Sequence, residues 1–421
     1  MRFGQAVAAI LACNALLCAP CAAAESAGEV LSLSEAIERS LERNLDLRAF
    51  GYELEAQAGR VQQAGVRPPP EVQALAENVL GSGERSDFDT AEITLSLVLS
   101  LERGARERRV ETARAGGELL STELRIQRLD VAAEAARRFI DVLEAQQGLS
   151  EAEEATALGR RMRETVQKRL QAGQVPRAEV ARAEAQLARL GLDEEHAEHQ
   201  LAAARQRLAA HWGATEPDFG KAQGELLGLL PLEDYAQLRV RLAETGDLER
   251  LVSEKRLREA EIRLAEARRR PPWQVTAGVR RFEIDDEHAF VVGVSVPLAS
   301  RSSVQGAVAE SRARSAQVDA RADALRVKLE SELYALYQEL RHSYSQVATL
   351  REQVLPRMTE AAEQARQAYE RGRYSYGEWV LAQRELLEVR RELLQASAQA
   401  QRERIEIERL TGAAVGGRPE T

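Results

Sequence analysis

Apolar and polar residues alternate in short segments of this chain, with the period of a β-strand that has two unlike faces. From Ile93 to Leu99 every second residue is isoleucine or leucine, and Thr94 and Ser96 lie between them. Val275, Ala277 and Val279 alternate with other residues in the same way further along the chain. We predict two β-hairpins, 71–101 and 273–298. Each strand has about 10 residues, the length that a tilted strand needs to cross a bilayer.

Helical patterns fill most of the remaining chain. A proline cluster ends an opening helix in each half, and a very long helical stretch follows each hairpin, at 102–172 and 301–371. Pro356 is expected to interrupt the second long stretch. Glycine turns then lead into return helices at 177–211 and 377–410. Apolar residues spaced by sevens in the return helices predict seams that pack against neighbouring helices.

The chain contains an internal repeat, because its two halves match at a constant offset of 199 residues over most of their length. The matched pairs include Leu95 with Val294, Glu179 with Glu378, and Trp212 with Thr411. Duplication of one large unit explains this pattern better than a solenoid, whose repeats are far shorter. We therefore divide the chain into a first repeat at 25–214, a linker at 215–231, a second repeat at 232–413 and a flexible C-terminal tail at 414–421.

Residues 1–24 have the features of a secretory signal peptide. Arg2 precedes an apolar run from Ala6 to Leu17, and Ala22–Ala24 supply small residues for cleavage. All three cysteines of the chain lie in this segment, so cleavage after it leaves a protein that is held together by packing and assembly rather than by disulfides. In an alternative reading, processing just before Cys21 would allow that cysteine to carry a lipid.

Composition and charge narrow the function. Charged residues make up 30% and aromatic residues 4% of the chain, which is typical of long helices, and the net charge of −9 argues against nucleic acid as a partner. No catalytic constellation, zinc motif or phosphate loop is present, so we expect neither an enzyme nor a cofactor. His196 and His199 share a helix face, but that face points away from the heptad seam, and we expect no bound metal.

Local motifs add to this order of elements. They are Leu31–Ala36 with Asn44–Leu47, Arg169–Val175, Val294–Leu298 and Tyr369–Ser375. Helix, hairpin, long helix, turn and return helix, occurring twice after a signal peptide, resemble the TolC family of outer-membrane efflux channels. The resemblance covers about residues 31–413, and within the family the chain is most similar in appearance to the CzcC/CusC-like members that serve heavy-metal resistance pumps.

The resemblance implies a mainly α fold with a small β part. The long coiled-coil helices would form an α-helical barrel in the periplasm, and a homotrimer would form a transmembrane β-barrel of twelve strands, four from each chain. Four strands alone cannot close a barrel, and open sheet edges are not tolerated in lipid. The implied location is the outer membrane of a Gram-negative bacterium, with a long periplasmic extension.

The implied function is that of an outer-membrane exit duct in a tripartite efflux pump of the RND type, exporting cations, heavy metals or small toxic compounds. Its partners would be a periplasmic adaptor (membrane fusion) protein, an inner-membrane pump and outer-membrane lipid. The alternative from another class is a periplasmic coiled-coil scaffold or adaptor without membrane insertion. The two hairpins argue against this alternative, as does the lack of a lipoyl-like or barrel domain between the helices.

The resemblance also points to residues at the two glycine turns, which would form the closed periplasmic end of the duct. The candidates for the pore and its gate are Glu179, Glu378, Arg177, Arg373, Tyr374 and Tyr376. The candidates for the tip turns and for adaptor docking are Gly173, Val175, Pro176, Gly372 and Ser375. Three copies of each glutamate would form acidic rings that favour cations. Both glutamates also suit the first turn of a helix, where the dipole stabilises a negative charge.

Overall fold

The computed structural model describes residues 30–85, 88–298 and 302–416. The expected signal peptide, with Cys21, lies outside these residues, as does the part of the expected tail from 417 onward. Within the described residues the fold is mainly helical with one small four-stranded sheet, as the sequence predicts.

Nine α-helices occur in the described part of the chain. They are α1 Leu33–Arg43, α2 Leu45–Ala64, α3 Ala105–Gln171, α4 Arg177–His211, α5 Tyr235–Leu242, α6 Gly246–Ala267, α7 Ser302–Thr349, α8 Leu355–Glu370 and α9 Tyr376–Leu410. The 67 residues of α3 span about 100 Å at the usual rise of an α-helix. No helix in these ranges is both long and apolar enough to cross a membrane.

The internal repeat is visible in the helices, since α4 and α9 begin and end 199 residues apart. The two long helices differ. Whereas α3 is continuous, a π-helical turn at Leu350–Val354 separates α7 from α8 directly before Pro356. Proline has no amide hydrogen, and its ring crowds the preceding turn of an α-helix. In the wider turn found here, the Leu355 amide donates to the carbonyl oxygen of Leu350, five residues earlier.

The strands form two sheets. They are β1 Val30–Ser32, β2 Glu71–Glu77, β3 Glu92–Leu101, β4 Lys221–Gln223, β5 Trp273–Phe282 and β6 Glu287–Ser295. The four-stranded sheet has the order β2-β3-β5-β6 and is antiparallel throughout, so the two predicted hairpins join along β3 and β5. β2 stops before Asn78, which has a positive φ, and β6 stops before Pro297.

The segment 215–231, expected as a linker, is packed into the fold. It contains β4, which pairs in parallel with β1, and it buries Phe219, Ala222 and Leu226. These side chains join the largest apolar cluster, which lies between α1, α3, α4 and α9. The segment is therefore part of the core where the two repeats meet, because its apolar side chains pack against helices of both repeats.

Candidate functional site

The helical hairpins of the two repeats end in matching turns at the same end of the protein. Gly173 follows α3 with a φ of +70°, and Gly372 follows α8 with a φ of +72°. In each turn the amides of the glycine and of the next residue donate to carbonyl oxygens of the last helical turn, at 2.8–2.9 Å. These are Schellman motifs, in which glycine takes the left-handed conformation without the cost that a Cβ would add.

Three aromatic side chains, Tyr369, Tyr376 and Trp379, form what we call the tip cluster. The rings of Tyr369 and Trp379 stack with centroids 5.0 Å apart, and Tyr376 meets both of them edge-on. Tyr376 is only 3% exposed. Burial raises the pKa of both Tyr369 and Tyr376 to about 12. Tyr376, a predicted gate residue, therefore lies in the interior of its own chain.

The matched glutamates Glu179 and Glu378 have different surroundings. Glu378 accepts a hydrogen bond from the amide of Ser375 at 2.7 Å, and its own amide donates to the Ser375 hydroxyl at 3.3 Å. This capping box begins α9, and the hydrogen bonds from Ser375 lower the pKa of Glu378. The helix-start interpretation of Glu378 thus has a geometric basis, while its carboxylate remains charged and solvent-exposed.

Glu179 is joined to the tip cluster instead. The hydroxyl of Tyr369 donates to its carboxylate at 3.2 Å. Its helix, α4, begins after Pro176, whose side chain provides no hydrogen bond to the helix start. Val175 packs against the tip cluster from the same turn. The structure therefore brings together Glu179, Val175 and Tyr376 around Tyr369.

The other predicted tip residues lie at the surface. Arg177, Arg373, Ser375 and the two turn glycines are exposed, and Tyr374 is 47% exposed. They are thus placed where they can contact another molecule, in contrast to Tyr376.

Arg169 is a tip residue that the sequence analysis did not single out. Its guanidinium carbon lies 4.6 Å from the ring centroid of Tyr369, and its Nη1 donates to the Tyr369 carbonyl oxygen. Arg169 lies in the last turn of the long helix of the first repeat, and Tyr369 lies in the last turn of α8 in the second. The contact fastens the two tips to each other. Its signal in the sequence was only that both residues belong to the matched turn motifs.

The four-stranded sheet at the opposite end has one polar and one apolar face. On β3 the polar-face residues Thr94 and Ser96 are 5% and 7% exposed. On β6 the apolar-face residues Phe290 and Val292 are 89% and 76% exposed. Because the polar side chains of the central strand are covered while apolar side chains on the other face are exposed, we infer that the sheet curves toward its polar face, with a convex apolar face suited to lipid.

Gly278 permits this curvature. A Cβ placed on Gly278 would lie 2.5 Å from both the carbonyl oxygen of Leu95 and the Cβ of Ser96. Opposed Cβ atoms in flat antiparallel pairs are about 4.5–5.5 Å apart. β3 and β5 therefore approach each other on the polar face more closely than two side chains would allow.

Metal ligands are not gathered anywhere in the ranges 30–85, 88–298 and 302–416 in a group of three or more histidine, cysteine, aspartate or glutamate residues. His196 contacts Gln200 of its own helix, with 2.9 Å between the two nitrogens.

Comparison with known proteins shows which family has this architecture. The family model described as outer membrane efflux protein matches residues 36–214 and 240–413, one segment in each repeat. The cobalt-zinc-cadmium resistance protein CzcC of Cupriavidus metallidurans is 28% identical over 333 residues, which cover 79% of this chain and 78% of that protein.

Solved structures with the same fold include two membrane channels. The outer-membrane channel OprN is 20% identical, with a TM-score of 0.75 over 91% of this chain and 90% of OprN. CusC is 18% identical, with a TM-score of 0.70 over 91% of this chain and 92% of CusC. The resemblance found in the sequence is confirmed, because a matching segment lies in each repeat and the whole architecture superimposes. The chain belongs to the outer membrane efflux protein family.

Proposed function

We propose that three copies of this chain form an outer-membrane exit duct, which works with a periplasmic adaptor protein and an inner-membrane pump to export metal cations. The sheet carries this proposal. Its outer strands β2 and β6 have no further partner in the four-stranded order, and its convex face is apolar and exposed. Lipid accepts such a face only if the edges are closed. Three copies supply twelve strands, an even number within the range of bacterial barrels.

The helices support the same arrangement. α3 is about 100 Å long, and it leads away from the sheet to the tip turns. Three copies of the two helical hairpins would continue the duct through the periplasm. A passive wall of this kind needs no catalytic group, and the proposed role is transport rather than catalysis. A scaffold without membrane insertion leaves the apolar convex face of the sheet exposed to water.

The exported substrate is proposed to be a divalent metal cation. The support is the cobalt-zinc-cadmium resistance named for the relative CzcC. The inner-membrane partner would be an RND-type pump, as the resemblance in the sequence implies.

The tip turns form the periplasmic end of the proposed duct. Arg177, Arg373 and Tyr374 are exposed there and available to neighbouring copies, so they are the residues we assign to holding that end closed. Glu179 and Glu378 place negative charge beside them. The exposed turns at Gly173, Pro176, Gly372 and Ser375, with Val175 behind them, are assigned to adaptor docking.

A pair of lysine substitutions tests the proposed duct. Val292→Lys puts a charge on the convex face near the middle of β6, where a barrel pays about 2–4 kcal/mol for lysine at the bilayer midplane. Val291→Lys is the matched control, because Val291 is the adjacent residue on the polar face. In a strain that lacks the gene, the parent and Val291→Lys should restore zinc, cobalt and cadmium tolerance, whereas Val292→Lys should restore much less.

Assembly is measured in parallel. The parent protein should fractionate with the outer membrane, require detergent for extraction and have the mass of three chains in native mass measurement. A stable monomer that is extracted without detergent would contradict the duct. Normal assembly without any effect of the gene on metal tolerance would contradict the substrate alone.

A further inference from the structure

Arg280 lies on the polar face of the sheet, close to the end where the strands of each hairpin are connected. Its guanidinium joins three strands. Nε donates to the Thr94 hydroxyl at 2.9 Å, Nη1 to the Glu92 carboxylate at 2.7 Å, and Nη2 to the Glu77 carboxylate at 2.8 Å. Because β5 carries Arg280, β3 carries Thr94 and Glu92, and β2 carries Glu77, one side chain spans most of the sheet.

The cluster of Arg280, Glu77 and Glu92, which we call the Arg280 cluster, keeps an excess of negative charge. Two carboxylates face one guanidinium, whose Nη1 and Nη2 donate to them while Nε donates to the Thr94 hydroxyl. Glu92 also accepts a hydrogen bond from the side-chain amide nitrogen (Nδ2) of Asn78 at 2.9 Å. The Glu77 side chain remains 43% exposed, compared with 27% for Arg280. Fixed carboxylate charge thus faces the space on the concave side of the sheet.

The rest of the polar face does not cancel this charge. On β2, β3, β5 and β6 the other charged residues of that face are Glu71 and Glu287, and Arg280 is the single basic residue among its described positions. The remaining positions of that face on the four strands carry uncharged side chains. The concave side is therefore acidic, and its charge is concentrated at the end near the hairpin connections.

Arg281 gives an internal comparison. It follows Arg280 directly and lies on the opposite, convex face of the strand. Its guanidinium pairs with Glu283 at 3.1 Å and Asp286 at 3.1 Å, both in the connection between β5 and β6. The two consecutive arginines therefore have similar ion pairs on opposite sides of the sheet.

We propose that the Arg280 cluster is the ion-selectivity element at the outer mouth of the duct. This inference rests on the proposed function, because the concave side becomes a lumen only when three chains close the barrel. Three clusters then form a ring with three net negative charges at the extracellular end, away from the tip turns. Glu77 and Glu92 attract cations, as rings of acidic side chains do in cation-selective pores. Arg280 is a positioning residue that holds the two carboxylates on adjacent strands and limits their total charge.

The test is the permeability ratio of potassium to chloride, obtained from reversal potentials of the detergent-purified protein in planar bilayers under a KCl gradient. Glu77→Gln removes three charges from the trimer and should lower the ratio at least about twofold, as expected for charges roughly 10 Å from the permeating ion at moderate salt. Arg280→Gln should raise the ratio by a similar factor, since the carboxylates lose their counter-charge. A merely structural role of the cluster would not move the ratio in opposite directions.

Arg281→Gln and Glu283→Gln are the matched controls, because they make the same changes of charge on the convex side. Both should leave the ratio at the parent value. Equal shifts in Arg280→Gln and Arg281→Gln would overturn the proposal in favour of a general surface-charge effect. An unchanged ratio in Glu77→Gln would overturn it as well. This outcome decides the test even if Arg280→Gln fails to assemble. A parent chain that forms no pore would overturn the duct and this element together, whereas a conducting parent with unresponsive variants overturns the selectivity element alone.

Discussion

At the tips, side chains at equivalent positions of the two repeats make different contacts. Glu179 and Glu378 match at the 199-residue offset, yet Glu378 closes a capping box and Glu179 accepts from the buried Tyr369 hydroxyl. The difference follows from the residue at the helix start, which is Pro176 in the first repeat and Ser375 in the second. Proline has no hydroxyl to receive an amide of the next turn, so only the second repeat builds the box.

The tip cluster should make stability depend on pH at the alkaline end. Burial raises the pKa of Tyr369 and Tyr376 from 10.0 to about 12, so the folded protein holds these protons more tightly than the unfolded chain does. Their contribution to the free energy of unfolding is complete below pH 10 and is lost as the pH rises toward 12. We expect the thermal midpoint to fall across this interval, and less steeply in the double variant Tyr369→Phe with Tyr376→Phe.

The control for this titration is Tyr52→Phe, a change at an exposed tyrosine on α2. It should follow the parent across the whole interval. If the double variant loses stability between pH 10 and 12 as steeply as the parent does, other groups cause the alkaline transition.

The geometry of the strands and helices depends on a few individual residues as well as on the hydrophobic pattern. β3 and β5 join the two repeats over ten paired residues, and Gly278 lies in the middle of that pairing. The closeness of Leu95 and Ser96 leaves no room for a side chain there. The two long helices differ for a local reason, because a single proline in the first turn of α8 follows a π-helical turn that α3 lacks.

Gly278→Ala should therefore destabilise the sheet, by about 1–3 kcal/mol per chain, as forced overpacking usually does. Gly293→Ala is the matched control, since Gly293 lies on the adjacent strand and the same face, where an added Cβ meets only the Thr276 Cβ at 3.8 Å. The measurement is the temperature at which the detergent-solubilised trimer dissociates. A Gly278→Ala trimer as heat-stable as that of Gly293→Ala would show that the strands separate without cost.

In the proposed trimer, small contacts at the tips have a larger combined effect. Tyr374 and Arg373 are exposed beside the turn at Gly372, and each exposed ion pair or hydrogen bond is worth only about 0–1 kcal/mol. Threefold repetition multiplies such contacts around one opening. Replacing Tyr374 and Arg373 together by serine should raise single-channel conductance in a planar bilayer, while the trimer remains intact.

Tyr52→Ser, which alters an exposed tyrosine far along the chain from either tip turn, is the control and should conduct like the parent. A double tip variant that also conducts like the parent would place the closing contacts elsewhere. The exposed Arg177 on the first tip would then be the next residue to replace.

The sequence was sufficient for the class of fold, the repeat and the family resemblance, because each of these depends on patterns along the chain and not on which distant residues meet. A period of two residues marks the strand from Glu92 to Leu101, and a spacing of seven residues marks the return helices. A constant offset of 199 residues reveals the repeat without any knowledge of contacts. Turn chemistry is equally local, and it placed Gly173 and Gly372 correctly at the ends of long helices.

Tertiary structure decided which distant residues meet. Arg280 reaches Glu77 and Glu92 only because the register aligns β5 with β3 and β3 with β2, and those partners are 203 and 188 residues away in the sequence. Arg169 reaches Tyr369 across 200 residues for a similar reason. Local pattern fixes which face a side chain occupies, but register and helix packing fix its neighbour, since both depend on surfaces that exist only after the chain has folded.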